Sequence, residues 1–332
     1  MEKTPNDKRA WGPYAWAVFV IHLAGLLLLV LAMPGHPFFV GLGFLAYTMG
    51  MRHAFDVDHI VAIDNVVRKL LRDKQNPTGV GFTFSLGHST VVFLLSVCAA
   101  LFAKWMMRQL PQLAETGGMI GTLVSGSFLL LIGILNLFIL IEIIKMFRAM
   151  KKNNSAESED LERLLQARGF FFRFVSRWSG FIRKSWHVYP LGFLFGLGLD
   201  TAGEIAMLSL SQRPAGETVS LAGAFALPIL FMAGMCLMDT ADGVFMSRNY
   251  RWALDNPIRK VYYNLTVTAL SVFAALGIGV MELAQVMIPT FQGADLGWMG
   301  YSLVALFAVA WGGSYLIWRL FRIEEQWSAN RS

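Results

Sequence analysis

Eight apolar stretches, each long enough to cross a hydrocarbon core of ~30 Å as a helix, punctuate this chain and leave little between them. They lie near residues 14–32, 38–66, 81–105, 119–147, 187–210, 219–246, 261–288 and 297–320. Of the 332 residues, 55% are hydrophobic and only 15% charged, far too apolar a balance for a soluble protein of this length. The expected fold class is therefore an all-α polytopic membrane protein with eight transmembrane helices.

The charges orient the bundle. With both termini in the cytoplasm, the inner segments collect all but four of the 28 basic residues. The outer loops receive only Lys104, Arg108 and Arg213, and Arg52 lies within the second span. That asymmetry is what the positive-inside rule demands of eight spans in this orientation. The net charge of +6 is thus topological and does not point to nucleic acid. A cleaved signal peptide at the N-terminus is disfavoured, because removing the first span would invert the bias of every later loop. The expected location is the cytoplasmic (inner) membrane.

This layout divides the chain into an N-terminal membrane half, 1–147, a cytoplasmic loop, 148–186, and a C-terminal membrane half, 187–332. The loop starts polar and Ser/Glu-rich. It ends in a mixture of Phe, Trp, Arg and Lys that suits a helix lying in the headgroup layer. Cys98 and Cys236 sit singly in apolar spans and make no metal or disulfide pattern.

Against this background the second span carries Arg52-His53-Ala54-Phe55-Asp56-Val57-Asp58-His59. An ionised group inside a bilayer costs roughly 2.5–3.5 kcal/mol or more, so something must compensate. A divalent transition-metal ion fits, because neutral imidazole and carboxylate are its ligands. In a regular helix His53, Asp56 and His59 follow one another at i+3 and share a side. Asp58 falls off that stripe. It joins the same ion only if the helix is distorted near Gly50; otherwise it orients a ligand from behind. Asp64, one turn further in, reads as an ion-pair or cap residue.

His88, in Gly87-His88-Ser89-Thr90 of the third span, lies at a depth similar to Asp58 and is a further candidate ligand or gate. The fifth span holds Asp200 and Glu204 at i, i+4, and the sixth holds Asp239 and Asp242 at i, i+3. These six carboxylates, Asp56, Asp58, Asp200, Glu204, Asp239 and Asp242, stand against one deeply placed base, Arg52. This favours a cation, and the imidazoles favour a transition metal over magnesium or alkali ions. Arg52 is either an ion-pair partner for one of these acids or an outer electrostatic gate.

At these residues the chain resembles the nickel/cobalt transporter (NiCoT) permeases. The helix-2 signature of that family, His-x4-Asp-His, is matched by His53, Asp58 and His59 within Arg52 to Ile60, with Val57 in place of the usual Ala. Its Gly-His-Ser-Thr-Val-Val matches Gly87 to Val92. Its Leu-Gly-Phe-Asp-Thr-Ala-Thr-Glu is similar to Leu197 to Glu204, with Leu199 for Phe and Gly203 for Thr. Its Gly-Met-x3-Asp-Thr-x-Asp-Gly matches Gly234 to Gly243. The resemblance implies high-affinity uptake of Ni²⁺ or Co²⁺, with His53, Asp58 and His59 essential. It also implies a metal preference set in the first two spans, where His22 and Phe55 are the natural suspects. Gly203 removes a hydroxyl from the helix-5 motif, which alters that part of the site.

The expected activity is uptake by a secondary transporter, with the ion as substrate and no resident cofactor. Partners are the ions and the bilayer; no Walker A motif is present, so no ATPase partner is needed. The alternatives are metal efflux, against which the loop 148–186 lacks histidine, and a proton-coupled carrier of organic cations. An enzyme is excluded by the missing HExxH and by a total of six histidines. Helices 2–4 and 5–7 read as inverted repeats, from the weak echo of Gly43-Phe44-Leu45 in Gly192-Phe193-Leu194.

Overall fold

The structure is a computed structural model that describes residues 11–34, 38–152, 182–198, 221–254, 257–288 and 297–320. Among them it is all helical, without strands. The helices are α1 (Gly12–Ala32), α2 (Phe39–His53), α3 (Val57–Arg72), α4 (Val80–Leu101) and α5 (Ala103–Lys152). They continue with α6 (Tyr189–Phe195), α7 (Leu221–Leu254), α8 (Pro257–Met287) and α9 (Gly297–Leu320).

Five described helices are long and apolar enough to cross a membrane: Gly12–Ala32, Val80–Ala99, Glu115–Ile141, Ala222–Tyr250 and Thr268–Met287. The other three expected spans differ in informative ways. The second is split into α2 and α3. The fifth is described only as α6 and the turn after it, and residues 199–220 lie outside the described residues. The eighth is α9, with its apolar part at Gly300–Val309.

One boundary is corrected outright. Residues 106–118, expected as an outer loop, are helical and extend the fourth span into the 50-residue α5. Their Met, Arg, Gln, Leu, Ala and Glu are good helix formers, and this preference outweighs Pro111 and the Gly117-Gly118 pair. The expected interfacial helix in the loop 148–186 lies, for residues 153–181, outside the described residues.

The short helix α3 forms the centre. Every residue from His59 to Leu70 is buried, although Asp64, Asn65, Arg68 and Lys69 are among them. Its apolar side packs with residues of α4, α8 and α9, including Phe84, Ile278 and Phe307. Its polar side enters a hydrogen-bond network with neighbouring helices. Asp64 accepts from Ser271 at 2.8 Å, pairs with Arg68 at 3.3 Å and accepts the Tyr250 hydroxyl. Arg68 also donates to Thr268 at 2.8 Å and to Tyr250 at 2.7 Å. Asn136 of α5 donates to Asn65. The ion-pair reading of Asp64 is the one the structure shows, and the network ties α3 to α5, α7 and α8.

Around α3 the helices cross at glycines. A Cβ on Gly50 of α2 would overlap the Phe231 carbonyl of α7, and one on Gly234 would overlap the Tyr47 carbonyl and crowd the Met51 amide. The α4–α6 crossing repeats this pattern. A Cβ on Gly192 would overlap the Phe84 carbonyl, and one on Gly87 would overlap the Tyr189 carbonyl and crowd the Phe193 amide. Each contact falls three residues before, or one after, the facing glycine.

Candidate metal site

The polar motif of the second span lies at a break in the helix. His53 is the last residue of α2, and Asp56 caps the start of α3 with φ −65° and ψ 142°, an extended conformation. The last turn of α2 tightens first: the amides of Phe55 and Asp56 each donate at 2.9 Å to the carbonyls three residues back, Arg52 and His53. The expected distortion near Gly50 is therefore found four to six residues later. The i+3 stripe of an unbroken helix does not apply here. Across the break the His53 and His59 rings lie 4.8 Å apart, edge to face.

His88 enters from α4. Its ring centroid lies 4.7 Å from both His53 and His59, and its Nε2 is 2.9 Å from His53 Nε2. His53, His59 and His88 are all buried, and one ligand nitrogen from each falls within 4.8 Å of the others. They form the one group of three or more His, Cys, Asp or Glu with metal-ligand spacing among the described residues.

Two carboxylates orient these rings. Asp56 Oδ2 is 2.8 Å from His53 Nδ1, and Asp239 Oδ2, from α7, is 3.2 Å from His59 Nδ1. His59, with its Nδ1–H donated to Asp239, presents a lone pair at Nε2, the usual arrangement behind a metal-bound histidine; His53 Nδ1 and Asp56 lie at ion-pair distance. His59 Nε2 is buried without a hydrogen-bond partner among the described residues, which leaves it available to an ion. Asp239 reaches His59 because α7 passes tightly over α4, where a Cβ on Gly81 would overlap the Asp239 carbonyl.

Asp58 sits in the first turn of α3, partly exposed and outside the imidazole group. There its charge opposes the positive end of the helix dipole, which would otherwise face an incoming cation. Asp242, one turn beyond Asp239, has a buried Oδ2 without a hydrogen-bond partner among the described residues. Arg52 is exposed and has no carboxylate at ion-pair distance among the described residues. His22 hydrogen-bonds the Val18 carbonyl at 2.8 Å and the Tyr47 hydroxyl at 3.2 Å, tying α1 to α2. Phe55 stacks on Tyr301 of α9. Asp200 and Glu204 lie outside the described residues.

Sequence reasoning paired Asp239 with Asp242 but did not foresee that Asp239 would back His59. Nor did it single out Tyr250, Ser271, Asn136 or Glu282, a further carboxylate buried on α8. The available signal was the rarity of polar residues in apolar spans.

Comparison with known proteins places the chain among metal transporters. The chain is 50% identical to the nickel transporter NixA of Staphylococcus aureus, covering 97% of this chain and 98% of that protein. It is 46% identical to the high-affinity nickel-transport protein NixA of Helicobacter pylori (strain J99), covering 94% and 98%. It is 36% identical to the cobalt transport protein NhlF of Rhodococcus rhodochrous, covering 94% and 93%. No solved structure matches it. Residues 39–317 match the NicO family, described as high-affinity nickel-transport protein, and the chain belongs to that family.

Proposed function

We propose that this protein is a permease that takes up divalent nickel, cobalt or both across the cytoplasmic membrane. The carrying observation is three buried imidazoles with ligand atoms within 4.8 Å of one another inside an apolar helical bundle. The nickel and cobalt transporters that the chain resembles over nearly its full length support the same substrate class.

The ion enters from outside and sheds water onto His53, His59 and His88. Asp56 and Asp239 hold two of the rings, and Asp58 offsets the α3 dipole. Arg52, exposed at the end of α2, is the outer electrostatic gate. Asp239 and Asp242, with Asp200 and Glu204 of the fifth span, line the onward path. His22, through Tyr47, and Phe55, in the break itself, bear on the choice between nickel and cobalt. An inside-negative potential favours entry by roughly 2.3 kcal/mol per charge per 100 mV, about twice that for a dication, so no ATPase partner is required. The ion is cargo, and no resident cofactor is needed.

The eight-span topology with cytoplasmic termini rests on the charge asymmetry and on the lengths of the described helices. The inverted repeat of helices 2–4 and 5–7 is supported by the reciprocal glycine crossings, since α2 meets α7 as α6 meets α4. Their register pairs Gly50 with Gly192 and Gly87 with Gly234, seven residues from the Gly43–Gly192 pairing suggested by the Gly-Phe-Leu echo. Backbone approach distinguishes these glycines, whereas a three-residue echo does not. In this register Asp58 would correspond to Asp200 in sequence.

Competition uptake tests the function. Cells expressing the protein should accumulate labelled nickel, unlabelled nickel or cobalt should displace it, and zinc and manganese should compete weakly. Uptake no greater than in cells without the protein would reject the reading.

A further inference from the structure

The break between α2 and α3 spaces His53 from His59, yet 54–56 contains neither proline nor glycine to account for it. The partner that fits it is α9, the last described helix. The Phe55 carbonyl is turned onto Gly300 so closely that a Cβ there would overlap it. The same Cβ would stand 2.9 Å from the Phe55 carbonyl carbon and 3.2 Å from the Val57 amide nitrogen. The Phe55 ring stacks on Tyr301 with centroids 5.3 Å apart and planes inclined by 23°. One residue past the break, Val57 is buried in the same cluster as Leu303 and Phe307 of α9.

Elsewhere among the described side chains of α9, Leu306 is 48% and Val309 70% exposed. A peripheral helix that meets the backbone of a helix break this closely acts as a brace. No residue of α9 belongs to the imidazole group.

We propose that Gly300 and Tyr301 are positioning residues for the metal site: α9 holds the 54–56 break, and so sets the spacing of His53 and His59 and with it metal affinity and coordination geometry. Gly300 serves because only hydrogen fits against a carbonyl at that distance. Tyr301 serves because its ring fixes the Phe55 side chain on the same turn. This rests on the reading of the imidazoles as the ion site, and it assigns to the eighth span a role that touches no ion.

The test uses the purified full-length protein, nickel titration for affinity, and Co²⁺ d–d absorption as a signature of coordination geometry. Gly300→Ala should raise the nickel Kd by about tenfold or more, the scale of losses seen when groups behind a metal ligand are disturbed. It should also shift the Co²⁺ bands. Tyr301→Ala should move both readouts in the same direction by a smaller amount, and Tyr301→Phe, which keeps the ring, should match the parent. Gly133→Ala is the control, since a Cβ there meets Leu276 and Ala275 side chains at the α5–α8 crossing. It should leave Kd and spectrum unchanged whatever it does to stability.

A folded Gly300→Ala protein with parental Kd and spectrum would overturn the proposal. If Gly300→Ala does not fold, Tyr301→Ala decides alone by the same two readouts. Parental protein that binds nickel no better than His88→Ala would instead overturn the site reading itself.

Discussion

His53 Nε2, at the end of α2, and His88 Nε2, on α4, stand 2.9 Å apart. Without an ion, the contact is a hydrogen bond in which one ring donates and the other accepts. Loading an ion therefore requires that proton to leave Nε2.

Replacing His53, His59 or His88 with Ala should abolish nickel uptake while leaving the protein in the membrane at normal levels. Labelled-nickel uptake with an immunoblot of the membrane fraction checks both halves. Near-normal uptake by any one variant removes that ring from the site.

Asp56→Asn and Asp239→Asn should weaken nickel binding about 10–100-fold without abolishing it, because each leaves the imidazole in place but loosens its orientation. Transport kinetics should show this chiefly as a raised KM. If the two variants behave as the parent, the carboxylate–imidazole pairs are structural only.

Acid should weaken binding. Each ligand nitrogen must be deprotonated to hold the ion, so protons and metal compete and affinity falls as pH falls. Titrations at about pH 7.5 and about pH 5.5 span the range in which histidine changes charge. Equal Kd at both would argue against imidazole ligation.

The network under the site makes a different kind of prediction. Arg68→Met leaves Asp64 buried without its charge partner, which typically costs about 3–5 kcal/mol. The double variant Asp64→Asn with Arg68→Met should recover part of that loss. Thermal unfolding in detergent reads both, and a single variant as stable as the parent would show that Ser271 and Tyr250 suffice for Asp64.

The residues of the site were legible in the chain well before their arrangement was. Polar groups are so costly in a bilayer that His53, His59, His88 and Asp239 stand out from any apolar background. The helical class and the inside-positive charge pattern follow from the same solvent physics, which acts on each segment separately. What the chain alone left open was phase. A regular helix would have put Asp56 beside two ring nitrogens on one ion; instead Asp56 caps a new helix and orients His53 from behind. Nothing local to Ala54, Phe55 or Asp56 dictates that break, since none is a helix breaker by itself. It depends on backbone contact with Gly300, nearly 250 residues later in the chain. Likewise Asp239 becomes the partner of His59 because α7 crosses α4 closely enough for carbonyl and glycine to touch. The sequence by itself determined the solvent, the helices and the ligand chemistry, because these depend on transfer energies of individual side chains. Only the tertiary structure decided which imidazole faces which carboxylate, because that depends on how closely backbones from distant segments approach.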